Sequence, residues 1–194
     1  MDFLRGFFIV RKAVLFFLSF VLFFSAAAPR LRAQADPDWR EKVQQELPLM
    51  GHRNWIMIVD SAYPLQVSPG VETIETGMDQ LAVTRFVLGA LDHSIHVTPN
   101  VYLDAELSHL NDELAPGIRV YREHLNDLIK DRPVKSLPHE ALIKQINDAG
   151  QTFHVLVLKT TMTLPYTSVF LQLDCRYWPP QNEQMLRQMM RDGR

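Results

Sequence analysis

A single cysteine in 194 residues excludes an internal disulfide. That residue, Cys175, follows an apolar, strand-like run and reads as an inert buried thiol. No CxxC or HExxH spacing announces zinc. Neither sign of charge dominates: the net charge is −2 and no lysine or arginine run forms a stripe, which leaves a nucleic-acid role without electrostatic support. Internal repeats and low-complexity tracts are also missing. What remains has the length of one domain that can bury a proper core.

The first 35 residues read as a signal peptide, not as part of the fold. Arg5, Arg11 and Lys12 make a positive start, Ala13 to Ala28 form an apolar core, and Ala33-Gln34-Ala35 supplies an A-x-A cleavage site, with an alternative near Ala26 to Ala28. The run is shorter than the ~20 residues of a spanning helix. If Phe7 to Val10 joined it, an uncleaved anchor would be the alternative, and Arg30 and Arg32 blur the orientation signal. The expectation is an exported protein, periplasmic or extracellular, whose contact with membrane is through this segment only. No cysteine follows the run, which excludes a lipoprotein.

Beyond it, helical and extended patterns alternate, so the class is α/β. Asp36-Pro37 reads as a helix start, with Trp39, Val43, Leu47 and Met50 at helical spacing. Asn54 to Asp60 reads as a buried strand and Ser61 to Glu72 as a loop. Met78 to Leu91 follows as a helix, then an extended stretch from Ile95 to Leu103 whose Pro99 places the strand proper near Val101. Pro116 and Pro138 each open a helix, the first with Ile118, Tyr121, Leu125 and Leu128 inward, the second with Leu142, Ile146 and Ala149 inward and Gly150 as its cap. Phe153 to Leu158 and Val169 to Leu173 are the closing strands, and a short Met-rich helix follows Pro179-Pro180. Residues 36–176 form the domain and 177–194 a C-terminal extension.

Seven histidines are present. His93 and His96 stand three apart at a helix end, with no further ligand to complete a metal site; His109 and His124 fall in charged helical segments; His154 reads as a satisfied core or interface residue. His52 and His139 stand at junctions between elements, where a side chain can face a pocket. Taken singly, each has a structural reading: His139 as part of a helix N-terminus, Asp60 as a turn former, Tyr166 as a loop aromatic.

Together they form an ordered set. Met50-Gly51-His52, an apolar strand, Asp60-Ser61-Ala62-Tyr63-Pro64, Pro138-His139-Glu140, and Leu164-Pro165-Tyr166-Thr167-Ser168 occur in that order. From about Glu46 to Leu173 the chain resembles the RbsD/FucU family, the D-ribose pyranases and L-fucose mutarotases. The resemblance implies a three-layer α/β/α domain with a mixed sheet, and a monosaccharide mutarotase or pyranase that interconverts anomers or pyranose and furanose forms without cofactor or metal. It implies His52 as the acid/base and Asp60, His139, Tyr166 and Ser168 as sugar-binding residues. It also implies a ring-shaped homo-oligomer, commonly a decamer, with sites between subunits.

Two positions depart from the family pattern. Ser168 stands where the family has asparagine, and Thr161-Met162 where it has Gly-Glu. These departures keep open an alternative: a non-catalytic, exported sugar-binding or assembly protein on the same fold. A metal-dependent hydrolase built on His52, Asp60 and His139 has suitable atoms but no metal-binding spacing. Geometry adds a constraint, because a strand from Asn54 to Asp60 spans roughly 20 Å at ~3.3 Å per residue. His52 and Asp60 can then share a pocket only through a sharp bend near Gly51 or through a second subunit.

Overall fold

The computed structural model describes residues 38–193. The expected signal segment and its cleavage sites lie outside these residues, as do Asp36 and Pro37. The first helix, α1 (Trp39–Glu46), is capped by Asp38, whose carboxylate accepts the Arg40 amide hydrogen at 3.1 Å. The cap is thus Asp38 and not the expected Asp36. The chain tightens into a 3₁₀ turn at Leu47–Leu49, yet Trp39, Val43, Leu47 and Met50 are all buried, so the apolar stripe runs through the change of helix type.

The sheet has six strands: β1 (Trp55–Val59), β2 (Val71–Glu75), β3 (Val97–Asp104), β4 (Val134–Leu137), β5 (Val155–Lys159) and β6 (Val169–Cys175), in the order β2-β5-β1-β6-β3-β4. β2, β5 and β1 are mutually parallel, β3 and β4 are parallel, and β6 runs antiparallel between β1 and β3. All five residues of β1 are buried, as its unbroken apolar run requires near the centre of a sheet covered on both faces.

Three expectations are corrected here. β2 starts at Val71, inside the end of the stretch read as a loop, and runs on beyond it to Glu75, and β4 is a strand the sequence pattern does not announce. Both are edge strands without the apolar alternation that betrays a half-buried strand, β2 half-exposed and β4 largely exposed. β3 starts at Val97, with Pro99 inside it; the ladder to β4 begins only at Val101, so the proline sits where β6 alone is paired with the strand.

Two apolar layers flank the sheet. On one face α1, α2 (Gln80–His93) and α3 (Ile118–Ile129) pack over Ile56, Ile58, Val101, Leu156 and Leu171. On the other, α4 (His139–Ala149) covers Trp55, Met57, Val59, Tyr102 and Phe170 with Leu142 and Ile146. The result is a three-layer α/β/α domain on a mixed sheet. In α3 Ile118, Tyr121 and Leu125 are buried, Leu128 packs partly buried against the same layer, and Ile129 beside it is buried as well. Cys175 is half-buried instead of buried, since it ends β6 beyond the covered part of the sheet. The last helix, α5 (Pro180–Arg191), has no buried residue and leaves Met185, Met189 and Met190 exposed. Among the described residues no helix is long and apolar enough to cross a membrane.

Candidate functional site

Five of the six strands point the same way, so their carboxyl ends share one edge of the sheet with the start of β6. Polar side chains reach a covered α/β domain most readily at that edge. Asp60 follows β1, Asp104 ends β3, His139 opens α4 just after β4, and Tyr166 and Ser168 lead into β6. Asp60, His139, Tyr166 and Ser168 are therefore on one edge. His52 is on the other.

The sharpest contact on this edge involves a residue the motifs did not reveal. Asp104 shares the face of Tyr102 by strand alternation, which aims it at α4, and its Oδ1 lies 3.1 Å from Nδ1 of His139. Its side chain has no exposed surface, while His139 retains 32%. Burial raises the Asp104 carboxyl from 3.8 to about 6; the His139 charge and hydrogen bond pull the other way, and Glu106 and Asp60 push it further up. Among the described residues its second oxygen, Oδ2, has no hydrogen-bond partner, and neither has the buried hydroxyl of Tyr63. Burial, and then the charges of Asp104 and Asp60, push the Tyr63 phenol up to about 12, which keeps it a neutral donor.

Glu106 holds the backbone to which that ring belongs. Pro138 precedes α4 and has no side-chain acceptor; both Glu106 oxygens take its place, accepting the His139 amide hydrogen at 3.1 Å each. The Tyr166 ring meets the His139 ring edge-on, with centroids 5.6 Å apart. Tyr166 itself sits in the left-handed region at φ 55°, a conformation a tyrosine keeps only where its surroundings hold it. They do: the next carbonyl, that of Thr167, accepts from the buried Gln80 amide and from the Tyr121 hydroxyl at 2.7 Å. Ser168 is 1% exposed, enclosed just ahead of β6. Asp60 uses one carboxylate oxygen to accept the Ala62 amide hydrogen, and the Ser61 amide bonds the Met162 carbonyl, which ties the Asp60 loop to the loop before Tyr166.

His52 is exposed in the turn before β1 and lines a shallow cavity of about 330 Å³ with Arg53, Gln172, Leu173 and Asp174. The turn does bend sharply, with Arg53 at φ 73° and the Asn54 side chain accepting the Gly51 amide hydrogen at 2.6 Å. The bend leaves His52 beside β6's far end, and β1 still separates it from Asp60.

Two of the other histidines have hydrogen-bonding partners. His93 Nδ1 meets the Gly89 carbonyl and His96 Nε2 meets the carbonyls of Leu47 and Met50. His109 and His124 are exposed. His154 approaches Glu46 and Glu72, a set with metal-ligating spacing, but the Lys42 ammonium bonds both carboxylates at 2.9 and 3.1 Å and already supplies the cation. An apolar groove of about 870 Å³ between α1 and α2, lined by Leu47, Phe86, Ala90 and Ile95, contains none of the expected site residues.

This architecture is an RbsD/FucU-like fold. RbsD of Bacillus subtilis, solved in complex with D-ribose, superposes with a TM-score of 0.50 at 17% identity, over 69% of this chain and 91% of its own. FucU from Bifidobacterium longum gives a TM-score of 0.48 at 15% identity over 69% and 94%, and the fucose mutarotase of Streptococcus pneumoniae in complex with L-fucose gives 0.44 at 16% over 76% and 98%. No protein-family model and no curated protein matches the chain.

Proposed function

We propose that the protein is a monosaccharide mutarotase or pyranase with His52 as acid/base and with Asp60, His139, Tyr166 and Ser168 on the sugar. The observation that carries this reading is the polar edge itself: a buried carboxylate and a buried phenol with unused hydrogen-bonding capacity, beside a half-exposed histidine and tyrosine. A ring of hydroxyls satisfies such groups, whereas an apolar ligand does not. The D-ribose complex of the RbsD neighbour agrees with that chemistry.

The reaction needs little machinery. A base takes the anomeric hydroxyl proton as the bond from C1 to the ring oxygen breaks, and an acid protonates the ring oxygen to give the open-chain form. Closure by the same steps reversed, on either face of the carbonyl or from another hydroxyl, yields the other anomer or ring size. Histidine titrates near neutrality and serves in either direction. No cofactor takes part in these steps.

His52 stands a strand's length, roughly 20 Å, from the sugar-binding edge of its own copy. In this reading the working site is completed by His52 of a second subunit, within a homo-oligomer of exported chains.

Saturation-transfer NMR with ribose, fucose, galactose and glucose tests the proposal. Wild-type protein accelerates exchange between anomers or ring forms of at least one sugar, and His52→Ala slows that exchange by ~10²–10⁴-fold. Acceleration that survives the substitution removes His52 from the mechanism. Line broadening without acceleration supports the second reading, a non-catalytic sugar-binding or assembly protein, which the enclosed Ser168 and the Met162 departure favour.

A further inference from the structure

We propose that Asp104 is a positioning residue for His139: it holds the ring as the Nδ1–H tautomer, leaving Nε2 as a bare proton acceptor toward a sugar hydroxyl. This rests on the reading of the polar edge as a sugar site and gives that site a second acid/base beside His52.

The geometry is directional. Asp104 Oδ1 faces Nδ1 at 3.1 Å, from a side chain with no exposed surface, so water does not compete for the contact. Nδ1 is the ring nitrogen thus committed, and a carboxylate there accepts a hydrogen bond and cannot donate one. The Tyr166 ring limits the imidazole's swing from the side, and Glu106 fixes its backbone. Second partners of this kind set tautomer and basicity in histidines that bind or transfer protons.

Groups on the neighbouring loops and on α3 set the charge around the pair, while the Lys135 ammonium on β4 lies at the Tyr102 hydroxyl, 3.4 Å away. Glu106 from the turn after β3 and Asp60 from the β1 loop are acidic, and the Tyr63 and Tyr121 phenols, the latter on α3, are both held neutral. No lysine or arginine is among the groups that shift the Asp104 carboxyl. The acidic surroundings keep Nδ1–H on the Asp104 side.

The test is a pair of readings on one sample. Long-range ¹H–¹⁵N spectra of uniformly labelled protein, with His139→Gln to assign the signal, report the tautomer at pH 7 to 8, where the Asp104 carboxyl is ionised. The expected result is His139 as Nδ1–H wherever the ring is neutral, and loss of that single tautomer in Asp104→Asn. Sugar exchange in Asp104→Asn falls by ~10²-fold, the scale of one general acid/base, with KM within threefold and the pH profile displaced. A neutral His139 in the Nε2–H form in wild type overturns the proposal, as does an Asp104→Asn protein with unchanged tautomer and pH profile. If Asp104→Asn fails to fold, the wild-type tautomer decides alone. If wild type accelerates no sugar yet shows the Nδ1–H form, lost in the variant, the pair stands and the mutarotase reading falls.

Discussion

Asp104 places a carboxylic acid where ionisation is costly, and the cost has a sign. Its pKa in the folded protein is raised to about 6 from an ordinary 3.8. A raised acid binds its proton more tightly in the folded chain, so its stabilising effect is full below about pH 4 and is lost as pH rises through about 6. Urea unfolding of wild type and Asp104→Asn at pH 4 and pH 7 measures this. The wild type should lose roughly 1–3 kcal/mol relative to the variant between those values. A difference that does not change with pH would mean that the carboxylate is solvated in solution. Nothing in the sequence singles Asp104 out. Leu103-Asp104-Ala105 repeats the pattern of Val59-Asp60-Ser61, an apolar strand ending on an aspartate, but no Gly-His or Pro-Tyr motif stands beside it. The junction positions of His139, Tyr166 and Asp60 are legible because these residues sit in short motifs. Glu106, Gln80 and Tyr121 are not, because they act across 33, 87 and 46 residues of chain on backbone atoms that no pattern of side chains reveals.

Among the elements, the central strands could be read and the edges could not. β1, β5 and the core of β6 are apolar runs that the hydrophobic effect must bury, whereas β2 and β4 are held by pairing with their neighbours. β2 is also pinned at its start. The Gly70 amide donates to the Gly150 carbonyl at 3.0 Å and the Gly70 carbonyl accepts from Val155 at 2.8 Å. A Cβ on Gly70 would overlap the Phe153 carbonyl oxygen and lie 2.7 Å from that of Gly150. Backbone, unlike a flexible side chain, cannot step aside. Gly70→Ala should therefore cost roughly 1–3 kcal/mol in a denaturant melt, the range for forced overpacking. Full stability in that variant would show that the α4–β5 turn yields more readily than its hydrogen bonds suggest.

For the molecule as a whole, the distance between His52 and the polar edge makes association part of the proposed activity. Sedimentation should find an oligomer, and a stronger test is complementation. His52→Ala and His139→Gln should each be inactive alone. Unfolded together in equal amounts and refolded, about a quarter of their sites should regain both residues if each site draws on two subunits, because random assembly pairs the intact halves that often. A mixture as inactive as its parts would confine the chemistry to one chain. The sequence points to an oligomer only through the family resemblance and the length of the first strand, since subunit contacts are chosen from surface residues that obey no period.

The reversed direction of β6 bears on how the chain reaches this state. Without that strand the sheet is two unconnected pieces, β2-β5-β1 on one side and β3-β4 on the other, because β6 alone joins them. β6 is also the last of the six in chain order. A chain emerging from the ribosome can therefore form at most two half-sheets with open edges until residue 175 is free to insert. Folding of the polar edge waits for it too, because Tyr166 and Ser168 arrive with that strand. The sheet stays incomplete, and the polar edge unassembled, until nearly all of the domain is available at once.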